Sequence, residues 1–76
     1  MLTLDQLRVG QRASVEAVGG SGSLTQRLME MGLLEGETIE VIRFAPLGDP
    51  LEIRLRDYQL SLRKAEAACI QVKVLG

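Results

Sequence analysis

Ser23 to Phe44 reads SLTQRLMEMGLLEGETIEVIRF, a helix signal complete at both ends that runs through a tight turn into a strand. Ser23 is placed to accept a hydrogen bond at the helix start, and Gln26 to reach back to it, as in a capping box. Leu24, Leu28 and Met31 recur at helical spacing and make one apolar face. Gly32 falls where the helix needs a residue of positive φ, and Leu33 is then positioned to pack back on Leu28, as in a Schellman ending. Leu34 to Glu37 reads as a turn with Gly36 at its positive-φ position. A helix this short is held only by packing, so it must lie on the sheet that the rest of the chain forms.

Upstream, Leu4 and Leu7 point inward from a strand start or one turn capped by Thr3, and Val9-Gly10-Gln11 is a turn. Arg12 to Val18 alternates Ala13, Val15 and Ala17 with Arg12, Ser14 and Glu16, the period of a half-buried strand. Gly19-Gly20-Ser21-Gly22 carries no side chain that specifies a conformation and is expected to be mobile. Downstream, Thr38 to Phe44 is β-branched and apolar. Ile39 and Val41 share one face, whereas Ile42 and Phe44 lie on the other, so the strand holds a bulge or is covered on both sides. Ala45 to Pro50 is a loop with two prolines and a glycine. Leu51, Ile53 and Leu55 then alternate inward. A hairpin turn at Asp57-Tyr58 sets Leu55 against Leu60, Ile53 against Leu62, Glu52 against Arg63 and Arg54 against Ser61, matching polarity in every pair. Lys64 to Ala68 makes one helical turn. Cys69 to Leu75 is the last strand, with Ile70, Val72 and Val74 inward.

Five short strands with one buried face favour closure, which removes exposed edges. The expected fold is mainly β: a small SH3-like barrel of about five strands with a short α-helix after the first long strand, ahead of an OB-type barrel. Seventy-six residues suit one domain, residues 1–76. The composition is 46% hydrophobic and 3% aromatic, so the core is aliphatic. A single cysteine, Cys69, rules out an internal disulfide framework. No secretory leader is read at the start, and no apolar run approaches the ~20 residues of a membrane span. These features suit a cytoplasmic protein that does not insert into the membrane.

Chemistry is sparse. The chain has no histidine, so Cys69 and the serines lack a base for nucleophilic catalysis, and the glycine loop lacks the Lys-Ser/Thr of a P-loop. No catalytic residue, no cofactor site and no dedicated metal site are expected. Glu35 and Glu37 flank Gly36 and can hold a cation only weakly; a solvated turn is the plainer reading. Met31 is core filling and not half of a chelating pair with Met29. Formal net charge is -1. Arg54, Arg56, Arg63 and Lys64 can share an outer face, but acidic neighbours and a lack of aromatic rings disfavour nucleic-acid binding. Protein contact remains, with Gly20, Leu24, Arg27, Met31, Leu47 and Asp49 as the candidate partner-binding residues. They place the docking surface on the helix with its preceding loop and on the Pro46–Pro50 loop. An exposed barrel edge or a swapped glycine hinge would give a homo-oligomer.

The blocks RLMEMGLLEGETIEV (Arg27 to Val41), APLGDPLEIRL (Ala45 to Leu55) and LSLRKAEAACIQV (Leu60 to Val72), with Leu4, Leu7 and Gly10 ahead of them, resemble the FeoA family of bacterial ferrous iron transport. The resemblance covers nearly the whole chain. Matched positions include Arg27, Leu28, Met31, Gly32, Gly36, Pro46, Gly48, Asp49, Pro50, Leu62, Arg63 and Ala67. It implies an SH3-like barrel, related to the C-terminal domains of iron-dependent repressors. It also implies a partner, the membrane transporter FeoB with its cytoplasmic G-protein domain, and so an accessory role in iron uptake. The alternative is an Fe(II)-sensing or Fe(II)-delivering protein using exposed carboxylates. A third reading gives Arg27 a part in stimulating GTP hydrolysis, by residue type alone.

Overall fold

The computed structural model describes residues 2–75. A 3₁₀ turn at Leu4–Gln6 is followed by β1 (Arg12–Val18), α1 (Gly22–Glu30), β2 (Thr38–Phe44), β3 (Leu51–Leu55), β4 (Tyr58–Leu62), α2 (Lys64–Ala67) and β5 (Ile70–Val74). The strands form one antiparallel sheet in the order β4-β3-β2-β1-β5. It curls around a single aliphatic core to which all five strands contribute, and the molecule measures 29 × 28 × 26 Å. No polar or charged residue is buried among those described, so the core rests on apolar contact alone. β4 and β5 end the sheet and share no ladder, so the expected closure is by packing and not by a continuous ring of hydrogen bonds. The free side of β5 is partly covered by the N-terminal segment, through Val72 N–H to the Leu2 carbonyl at 3.0 Å and a bridge between Thr3 and Gln71.

The end of α1 follows the expected pattern. Leu33 N–H donates to the Leu28 carbonyl (3.1 Å) and Gly32 N–H to that of Met29 (3.0 Å), the paired bonds of a Schellman motif. Gly32 has φ +99°. The turn after it closes through Glu37 N–H to the Leu34 carbonyl at 3.0 Å. The start of α1 differs from the expectation. Ser21, not Ser23, is the N-cap, Ser23 lies inside the helix, and neither makes a side-chain cap. Gln26 donates to Glu30 instead of reaching back. The glycine loop is also better tied than its composition suggests. Gly19 N–H donates to the Cys69 carbonyl (2.7 Å), and the Thr25 hydroxyl donates to the Gly19 carbonyl (2.8 Å).

Two bulges reset the faces. In β1 the register shifts between Val15 and Ala17, which turns Ala17 outward and Val18 onto the core. Ala17 was expected inward; the extra residue, Glu16, reverses the parity after it. In β2 the shift falls between Val41 and Arg43, so Ile42 is the extra residue and Phe44 rejoins the core. The β3–β4 hairpin turns one residue earlier than expected, at Arg56-Asp57. Leu55 faces Tyr58, Ile53 faces Leu60, Leu51 faces Leu62, and Glu52 faces Ser61, not Arg63. A shift of the turn by one residue moves every pairing by two, which leaves each side chain on its original face. Arg56 adopts φ +57° to make this tight turn. In β5, Ile70 and Val72 are buried, whereas Val74 is exposed near the strand end.

Candidate functional site

The candidate contact residues fall into two groups joined by α2. Along α1, Leu24 packs against the core at the helix start. Gly20 lies so near it that a Cβ on Gly20 would come within 3.3 Å of both Leu24 Cδ2 and Cys69 Sγ. Cys69 is half-buried beside this contact and packs as a small apolar residue. Arg27 projects from α1 and its Nη2 donates to Glu66 Oε2 of α2 at 3.0 Å, with the arginine side chain still 64% exposed. Met31 is half-buried against the core, and its carbonyl accepts the Tyr58 hydroxyl at 2.7 Å. In the second group, Leu47 is 96% exposed. It does not tuck against the sheet. Asp49 Oδ1 accepts the backbone N–H of Lys64 at 2.9 Å and so ties the proline loop to the start of α2.

Arg27 and Asp49 thus meet the same four-residue helix through Glu66 and Lys64. This junction joins residues too far apart in the chain to be legible from spacing. Its one visible signal is Glu66 three residues after Arg63, which accepts the Arg63 N–H at 2.8 Å through Oε1 while Oε2 serves Arg27. Because Asp49 satisfies a helix-start donor, Asp49→Ala is expected to lower stability by about 1 kcal/mol. Urea unfolding of the two proteins measures this; an unchanged midpoint would mean that water replaces the bond at no cost.

The charged residues are arranged differently from the expectation. Glu52 pairs with Arg43 and not with Arg63. Arg54 Nη1 lies 3.5 Å from Glu40 Oε1, and Arg56 Nε donates to Glu37 Oε2 at 2.6 Å. The last bond holds the Glu37 carboxyl below its ordinary range and raises the Arg56 guanidinium. Glu37, one of the two carboxylates considered for a cation, is therefore engaged by an arginine, and the described residues contain no group of three or more metal-ligating side chains. Arg54 and Arg56 share a groove with Arg12; Arg63 and Lys64 do not line it. No helix of the described residues is long and apolar enough to cross a membrane.

Comparison with known proteins agrees with this fold. A fusion of Fe(2+) transport protein A and the Fe(2+) transporter FeoB from Porphyromonas gingivalis is 40% identical over 75 residues, covering 99% of this chain. The chain spans only 9% of that fusion protein's length. The solution structure of the FeoA protein of Chlorobium tepidum superposes with TM-score 0.92 at 40% identity, over 99% of this chain and 71% of that one. The zinc-complexed FeoA of Stenotrophomonas maltophilia, described as a prokaryotic SH3 domain protein, superposes with TM-score 0.85 at 28% identity, over 96% and 91% of the two chains. The model of the FeoA domain matches residues 2–74. From Leu2 to Val74, then, this chain belongs to the FeoA family of ferrous iron transport, with the SH3-like fold of that family.

Proposed function

We propose that the chain is an accessory protein of ferrous iron uptake that docks on the cytoplasmic side of the FeoB transporter. The observation that carries this reading is the fusion in Porphyromonas gingivalis, where a segment 40% identical to nearly all of this chain is part of one polypeptide with FeoB. A covalent link raises the effective concentration of two modules that act together. The Stenotrophomonas relative, which has been suggested as a ferrous iron transport activating factor, supports the same role. The docking surface runs from α1 across α2 to the proline loop, and comprises Gly20, Leu24, Arg27, Met31, Leu47 and Asp49. Within it Gly20, Leu24 and Asp49 hold the shape of the surface, and Leu47 offers the apolar anchor.

A pull-down with full-length transporter in membranes, and with its soluble cytoplasmic part, tests the reading. Leu47→Asp is expected to weaken capture by roughly tenfold or more, the scale of an interface anchor, with an unchanged melting temperature because the residue is 96% exposed in the free protein. Absence of capture by either form of the transporter would overturn direct docking. Capture that is indifferent to Leu47→Asp would move the surface elsewhere.

A further inference from the structure

On the solvent side of the sheet, Arg12, Glu40 and Arg54 stand in one row, because Arg12 pairs with Glu40 across β1 and β2 and Glu40 with Arg54 across β2 and β3. Glu37, just before β2, and Arg56, just after β3, form the neighbouring pair. Arg12, Thr38, Glu40, Arg54 and Arg56 line a groove of about 210 Å³. Its charges are layered. The Glu37 and Glu40 side chains are only 21% and 34% exposed, whereas those of Arg54 and Arg56 are 50% and 68% exposed. A partner approaching this face therefore meets guanidinium groups above recessed carboxylates.

Those guanidinium groups are under-used. Each has five N–H donors, yet Arg56 contributes one to Glu37 and Arg54 one long contact to Glu40. Among the described residues no ion pair engages Arg12. Arg12, Arg54 and Arg56, set against Glu40 in the lining and Glu37 paired with Arg56 beside it, leave one net positive charge on this face.

We propose that this groove binds a carboxylate side chain on an acidic segment of a partner protein. A planar arginine fork fits a carboxylate through two parallel bonds. One net positive charge matches a monoanion, and the recessed glutamates repel a phosphate dianion or a nucleic-acid backbone more strongly. The site is separate from the proposed transporter-docking residues and does not depend on that reading.

NMR titration of the isotope-labelled full chain tests it without the transporter, with a short polyglutamate peptide in one arm and inorganic phosphate in the other at equal ionic strength. The peptide is expected to shift the Nε–H signals of Arg12, Arg54 and Arg56 and the amide of Thr38, with binding that weakens as salt rises. Arg12→Glu, which breaks no ion pair among the described residues, is expected to weaken the peptide by about tenfold. Arg63→Glu, the same charge change outside the groove, is expected to weaken it much less. The proposal is overturned if the groove signals do not move, if phosphate binds as tightly as the peptide, or if the two variants act equally.

Discussion

Gly32→Ala is expected to destabilise the protein by about 2–4 kcal/mol, from a left-handed backbone cost of roughly 1–2 kcal/mol and a steric cost of similar size. At φ +99° an L side chain is strained wherever it points. Here the new Cβ would also lie 2.5 Å from the Tyr58 hydroxyl oxygen and 2.9 Å from Leu55 Cδ2. Either the tyrosine withdraws and gives up its bond to the Met31 carbonyl, or the end of α1 lifts from the sheet. For a chain of this size the change corresponds to a melting temperature lower by roughly 10–25 °C. Thermal unfolding followed by far-UV circular dichroism measures it. Tyr58→Phe removes the nearer clashing atom, so the double variant should lose less than the two single losses added together. Simple additivity would show that the hydroxyl is not what alanine meets.

Leu28→Ala is expected to cost about 2–5 kcal/mol, the range for a fully buried leucine that leaves a cavity. Leu28 has no exposed surface and belongs to the core. Its carbonyl also accepts the Leu33 N–H that ends α1. Total stability for a chain of this length is of order 4–11 kcal/mol, so the variant should approach the limit of folding. A urea midpoint lowered by less than about a sixth would contradict this central position. Leu47 has the same side chain and the opposite environment, which is why its replacement is expected to affect docking and leave stability unchanged.

Much of the architecture was legible in side-chain period. Ala13 and Val15 in β1, and Leu51, Ile53 and Leu55 in β3, alternate with polar residues and are buried as expected. The ending of α1 was legible because Gly32 and Leu33 satisfy a stereochemical need that few residues meet. Three details were not. The β3–β4 pairing differs by two from the one side-chain polarity suggests, because matching polarity cannot separate registers of equal parity and Arg56 is an unusual residue for a positive φ. The start of α1 lies earlier than the sequence indicates because Gly22 reads as loop, although it is the first helical residue. Ala17 and Val18 exchanged faces because a bulge leaves no mark in composition. The ion pairs inherit these errors: Glu52 finds Arg43 only once the β2–β3 register is known. For the contact surface, residue type suggested Arg27 and Leu47, whereas the link from α1 to the proline loop through α2 depends on Arg27–Glu66 and Asp49–Lys64 contacts, 39 and 15 residues apart in the chain.

Tyr58 joins the β3–β4 hairpin to the last turn of α1 through one hydroxyl, at 2.7 Å from the Met31 carbonyl. The chain has no tryptophan, one tyrosine and one phenylalanine. Its intrinsic emission and near-ultraviolet dichroism therefore come almost wholly from this ring. The phenol is a native optical gauge of whether the helix is seated, and it allows seating to be followed in real time on the unlabelled chain.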